Sequence, residues 1–255
     1  MALPLQGERT QGGLLIGRAP GDTAGLWLGD APVRIAPGGL FYLALAREAP
    51  ASVVLTRQDS AGRRFSQAIA VAQRVFRIQE IMGLRAETVT TPPEEKERRD
   101  RELRLIALAR SVVSDRTDWA KGWRAPVGGR ITGVYGSQRI LNGQPRQPHW
   151  GIDFANPTGT AVVAPAGGEV VLAQTGFLLE GGVIILDHGG GVFSSFLHLS
   201  RLDVAVGTVV APGQRLGAVG GTGRATGPHL CWRVKAGDTW VDPGLLLTLA
   251  KTPAL

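Results

Sequence analysis

Of the 36 glycines in this 255-residue chain, 25 fall after residue 121, and that crowding limits the fold more than any other feature. Glycine costs a helix interior about 1 kcal/mol relative to alanine but suits tight turns. No Gly-x-y period accompanies it, which excludes a collagen-like chain. Between the glycines lie short apolar runs at 162–164, 169–173, 183–186, 192–197, 209–211 and 230–234. Short runs bounded by turn residues predict an antiparallel β domain over 122–255.

The first part of the chain reads the same way. Candidate strands at 13–17, 25–28, 33–35, 41–46 and 52–56 are separated by turn signals such as Gly29-Asp30 and Pro37-Gly38-Gly39, and 65–78 holds one or two more. This predicts an Ig-like β-sandwich over 1–87. Residues 88–121 read as a linker and a helix. Pro92-Pro93 starts the helix, acids fill its first turn, and apolar residues carry it to about 113. The expected class is mainly β. No run of 18 apolar residues occurs, so no spanning segment is expected. Lys and Arg outnumber Asp and Glu by 28 to 21, without a cluster that would track phosphates. Nucleic acid is therefore not the expected partner, whereas an anionic polymer is compatible. One cysteine excludes an internal disulfide framework. The N-terminus lacks a basic segment followed by an apolar one. The chain is expected to be cytosolic, or exported with its signal segment removed.

The chemistry concentrates in one window. All four histidines, His149, His188, His198 and His229, lie within 81 residues of one another, with the lone Cys231 among them. His149-Trp150-Gly151-Ile152-Asp153 sets an imidazole and a carboxylate four apart. On a strand, His229 and Cys231 share one face while Leu230 and Trp232 turn to the core. Imidazole, carboxylate and thiolate are all zinc ligands, and three of them with one open position form a catalytic pattern. His188, in Asp187-His188-Gly189-Gly190-Gly191, reads as structural or near a groove rim. Arg139 and Asn142 precede the His149 segment and are candidates to bind a substrate carboxylate or amide.

These segments resemble the LytM/lysostaphin-type zinc metallopeptidases, which cut peptide bonds in bacterial cell walls. The resemblance covers roughly 126–248. It rests on Arg130-Ile131-Thr132-Gly133-Val134-Tyr135-Gly136, His149-x-Gly151-x-Asp153-Phe154 and Ile184-Ile185-Leu186-Asp187-His188-Gly189, followed by Phe196-Leu197-His198-Leu199-Ser200 and Thr222-Gly223-x-Ala225-Thr226-Gly227-Pro228-His229-Leu230. It implies a LytM-type antiparallel β domain with a groove, preceded by the accessory region of Gram-negative members. It implies one zinc ion on His149 and Asp153, with His198 and His229 as catalytic groups. The family's third ligand is the second His of His-x-His, and this chain has Cys231 there. Three readings stay open: the thiolate replaces imidazole on zinc; zinc is lost and the domain only binds; or the cysteine is incidental or redox-active. The expected function is zinc-dependent D,D-endopeptidase cleavage of peptidoglycan cross-links in the periplasm or outside the cell. The alternative is a degenerate cell-wall binding or regulatory module that activates another hydrolase. Peptidoglycan is the expected partner, together with a regulatory protein that frees a groove blocked by the N-terminal domain.

Overall fold

The structure is a computed structural model, and it describes residues 2–83 and 93–249. The linker expected at 88–93 lies outside the described residues except for Pro93, which opens the helix. The C-terminal half is built on an eight-stranded antiparallel sheet. Its path runs Val209–Val210, Gly168–Phe177, Gly181–Asp187, Val192–Leu199, His229–Ala236, Gly151–Ala155 and Arg130–Gly133, with Thr239–Val241 paired to His229–Ala236. A three-stranded sheet of Ala161–Val163, Arg215–Ala218 and Arg201–Leu202 adjoins it.

Strand alternation sorts the side chains of the large sheet into two faces. Ile152, Phe154, Ile184, Leu186, Val192, Phe196, Leu230, Trp232 and Val234 join Trp119 and Trp123 in the main core. The intervening residues Val183, Ile185, Phe193, Leu197 and Cys231 belong to a second buried cluster, on the opposite face. Asp153, between Ile152 and Phe154, shares that second face. The helix Pro93–Ala109 lies against it through Ile106, with Ala109 packed at the edge.

The N-terminal part holds a three-stranded sheet (Leu5–Gln6, Leu14–Arg18, Leu40–Ala44) and a four-stranded one (Ala31–Pro32, Thr23–Leu28, Ser52–Asp59, Arg64–Ala70). They share a core that includes Leu15, Leu26, Phe41, Leu43, Leu55 and Ile69. Three expectations are corrected. The strand expected at 33–35 is replaced by Ala31–Pro32, and the Val33 N–H, on the Leu26 carbonyl at 2.8 Å, carries the pairing one residue further. The helix stops at Ala109 rather than near 113. Ser111 turns its hydroxyl onto the Leu108 carbonyl at 2.8 Å, and the β-branched Val112 and Val113 follow. One strand pair is parallel: Ile78–Ile81 runs beside Gln138–Leu141, which also forms a hairpin with Gln144–Pro145.

Candidate metal centre

Three ligand-type atoms converge on the second face of the sheet. Asp153 and Cys231 are directly paired across neighbouring strands, so their side chains leave the sheet side by side. His149 sits two residues before its strand begins. His149 Nε2, an Asp153 carboxylate oxygen and Cys231 Sγ all lie within 4.8 Å of one another. Nε2 is 3.1 Å from Asp153 Oδ1 and 3.5 Å from Sγ. Gly133 makes room for the carboxylate, since a Cβ there would overlap it.

The hydrogen bonds around these atoms decide what they can hold. His149 donates Nδ1–H to the Val134 carbonyl at 3.2 Å, which leaves a lone pair on Nε2. That lone pair faces Asp153 Oδ1, which is buried and accepts no hydrogen bond. Arg233 Nε donates to Cys231 Sγ at 3.3 Å. Burial opposes charge on His149, but the Asp153 and Cys231 groups outweigh it and push its pKa up to about 10. Burial likewise opposes the Asp153 charge, and His149 outweighs it, so the carboxyl sits below its usual range. A proton therefore binds where the three Lewis bases meet. Imidazole, carboxylate and thiolate with a backbone-held Nδ1 are the donor set of a zinc site, and the residues fit that ion.

Two more histidines flank the three. His198 adopts a left-handed backbone, φ 68°, a strained state for a non-glycine residue. Its N–H bonds the Glu180 carbonyl at 2.8 Å and its Nδ1 the Thr222 carbonyl at 2.9 Å. Burial, reinforced by nearby His229, lowers its pKa and keeps the ring neutral near pH 7. His229 Nδ1 bonds the Gly227 carbonyl at 2.8 Å, and its Nε2 stands 3.9 Å from Asp153 Oδ1. The two rings are 4.6 Å apart between centroids. Both therefore keep Nε2 available for proton exchange.

The remaining candidates lie elsewhere. His188 is fully buried, with Nδ1 on the Gly167 carbonyl and Nε2 on Ser194 Oγ, each at 2.6 Å. Its role is structural. Arg139 and Asn142 are exposed on the hairpin leading to His149. Asn142 and Gly143 both have positive φ, 49° and 77°, the signature of a two-residue type I′ turn. Sequence reasoning missed Arg233, Thr222 and Glu180. Arg233 was findable, since it stands two residues after Cys231 on the same strand face. Thr222 was not, because its role is to place a carbonyl under His198.

Residues 147–243 match the model of peptidase family M23. Peptidoglycan DD-endopeptidase ShyA of Vibrio cholerae is 43% identical over 83 residues, 32% of this chain and 19% of that protein. DD-carboxypeptidase/endopeptidase Mpg of Neisseria meningitidis is 38% identical over 97 residues, 37% of this chain and 22% of that one. The matches thus span about a fifth of the length of these curated relatives. A crystal structure from Pseudomonas aeruginosa, described as a peptidase M23, shares 28% identity at a TM-score of 0.69. It covers 94% of this chain and 95% of its own.

Proposed function

We propose, from the match of residues 147–243 to peptidase family M23, that this chain hydrolyses peptide bonds in bacterial peptidoglycan, as a D,D-endopeptidase acting on cross-links. The observation that carries this reading is the convergence of imidazole, carboxylate and thiol ligand atoms within 4.8 Å of one another on one sheet face, with two further imidazoles alongside. The proposed ligands are His149, Asp153 and Cys231, and the proposed ion is a single zinc per chain. When bound there, zinc supplies Lewis acidity toward a carbonyl and toward water.

The chain's own residues supply the rest. His229 Nε2, the nearer imidazole to the three ligands, takes the proton of the attacking water. His198, its Nδ1–H held by the Thr222 carbonyl, first takes up at Nε2 a proton from solvent or from the neighbouring His229, and then donates a hydrogen bond to the developing oxyanion or passes that proton to the leaving amine. Arg233 Nε donates a hydrogen bond that fixes Cys231 Sγ in place. Arg139 and Asn142 remain proposed contacts for a substrate carboxylate or amide. Residues 122–255 are the proposed hydrolase domain. The substrate class places the reaction outside the cytoplasm, and the described residues contain no helix long and apolar enough to cross a membrane. The intact donor set gives no support to a degenerate binding module.

The test is elemental analysis of the purified chain beside Cys231→Ala, with muropeptide release from sacculi as the second readout. About one zinc per chain, at least partly lost in the variant, is expected, together with release that a chelator abolishes. A zinc-free chain that stays zinc-free after resupply sinks the mechanism.

A further inference from the structure

We infer that Arg233 and Cys231 act as one unit at the metal centre, in which the Arg233 guanidinium offsets the extra negative charge that a thiolate brings where the family has an imidazole. Arg233 is a positioning residue that acts through the sulfur. The inference rests on the reading of the metal centre given above and names what allows a cysteine to serve there.

Strand geometry is the first argument. Arg233 stands two residues after Cys231 in His229–Ala236, so both side chains leave the same face of the sheet. Its partners on the two flanking strands are Gly151 and Ser195. Both are small, and a Cβ at Gly151 would lie 2.7 Å from Arg233 Cγ. The missing side chain at 151 is what lets the arginine stem lie close to the sheet. On the other side, Ser195 Oγ is taken by Arg110 Nη2 at 2.7 Å. Set between these two positions, the side chain turns back along its own strand, and Nε meets Cys231 Sγ at 3.3 Å. A thiolate sulfur has lone pairs enough to hold a metal ion and accept this N–H together.

Charge is the second argument. With imidazole in the third position, the ligands carry one negative charge, from Asp153. With thiolate there they carry two, and the ion keeps less positive charge with which to polarise a carbonyl or water. The guanidinium is always protonated, and its place beside Sγ returns the missing unit of positive charge. No other group competes for that charge. Among the described residues, the sulfur is the one acceptor of an Arg233 side-chain hydrogen bond. The acids whose fields reach Arg233 are Glu180 and Asp153. Glu180 is already held at two points by Arg99, at 2.6 and 2.9 Å, and Asp153 faces His149 at 3.1 Å. Arg110 lies near with the same sign. Burial first, and Arg233 next, lower its pKa to about 10. A guanidinium placed beside a second cation, with a sulfur as its acceptor, is an unfavourable arrangement unless that sulfur is anionic.

Cys231 is the chain's single thiol, so a thiolate-to-metal charge-transfer band reports on it alone. The full chain is loaded with Co2+, and the energy of that near-ultraviolet band measures the electron density on sulfur. Arg233→Met removes the charge and the donor at similar length, whereas Arg233→Lys keeps the charge within reach of Sγ. Arg233→Met is expected to move the band to longer wavelength, and Arg233→Lys to return it toward the parent. A cycle with Cys231→His is the second measurement, read as zinc affinity by competition with a chromophoric chelator. Arg233→Met is expected to be about tenfold more damaging in the parent than in the Cys231→His background, because a cation helps an anionic ligand and hinders a neutral one. Circular dichroism and melting confirm that each variant is folded, and Arg233→Gln takes the place of Arg233→Met if that variant is not. A band that stays put when the charge is lost, or that Arg233→Met and Arg233→Lys move equally, overturns the inference and leaves Cys231 a ligand. An equal effect on affinity in both backgrounds does the same. Absence of the band from the cobalt-loaded parent removes the metal-centre reading itself, and the inference with it.

Discussion

At the residue scale the site depends on small groups that make space and on carbonyls that fix rings. Gly133 is the clearest case. Its strand lies beside Asp153, and any side chain there must displace the carboxylate. Gly133→Ala is therefore expected to move Asp153 off its line with His149 Nε2 and Cys231 Sγ. Zinc affinity should fall about 10–100-fold, as when supporting groups around a metal are altered. Hydrolysis should fall with it, while melting changes little. Competition with a chromophoric chelator measures this, and unchanged affinity removes the spatial argument. His149 and His229 reach the same end by orienting Nδ1 onto the Val134 and Gly227 carbonyls.

At the element scale, much of the architecture could be read from the chain. Alternation along 229–234 predicts that Leu230 and Trp232 are buried in the core and that His229 and Cys231 share the other face, and their packing agrees. The four-residue spacing of His149 and Asp153 predicts their proximity, although His149 acts from just outside the strand. What could not be read is long-range: the parallel pairing of Ile78–Ile81 with Gln138–Leu141, and the seating of the helix on the face that carries Cys231. Neither leaves a local signature, because both partners look like ordinary surface segments. Asn142 shows the converse difficulty, since a turn former and a substrate contact are the same residue in sequence. Asn142→Gly separates them. Glycine keeps the positive-φ turn without strain and removes the amide. If Asn142 binds substrate, KM rises several-fold at constant melting temperature; if it only shapes the turn, KM and stability both stay within error of the parent.

At the scale of the whole molecule, the two β regions are joined rather than strung together. Arg74 pairs with Asp242 at 2.8 Å, Arg47 donates to the Gly136 carbonyl, and Tyr42 donates to the Gly190 carbonyl. Gly190 lies just after His188, so this junction abuts the most deeply buried titratable ring in the site's half. His188 is packed edge-on against Trp123, with both nitrogens already bonded. Burial is the largest influence on it and lowers its pKa from 6.5 to about 4. The unfolded chain takes up a proton near pH 6.5 that the folded chain refuses until near pH 4. The folded state is thus favoured fully above pH 6.5 and progressively less below it. Between those limits the loss approaches about 1.4 kcal/mol per pH unit. His188→Gln removes the titration, so the variant should be less stable at pH 7 yet lose less on acidification. Denaturant unfolding at half-unit steps from pH 7 to pH 4 measures both slopes. A slope unchanged by the substitution means that other groups, the low-pKa His198 foremost, carry the acid sensitivity. A slope shallower by about one proton means that this buried ring sets how far into acid the two joined β regions hold together.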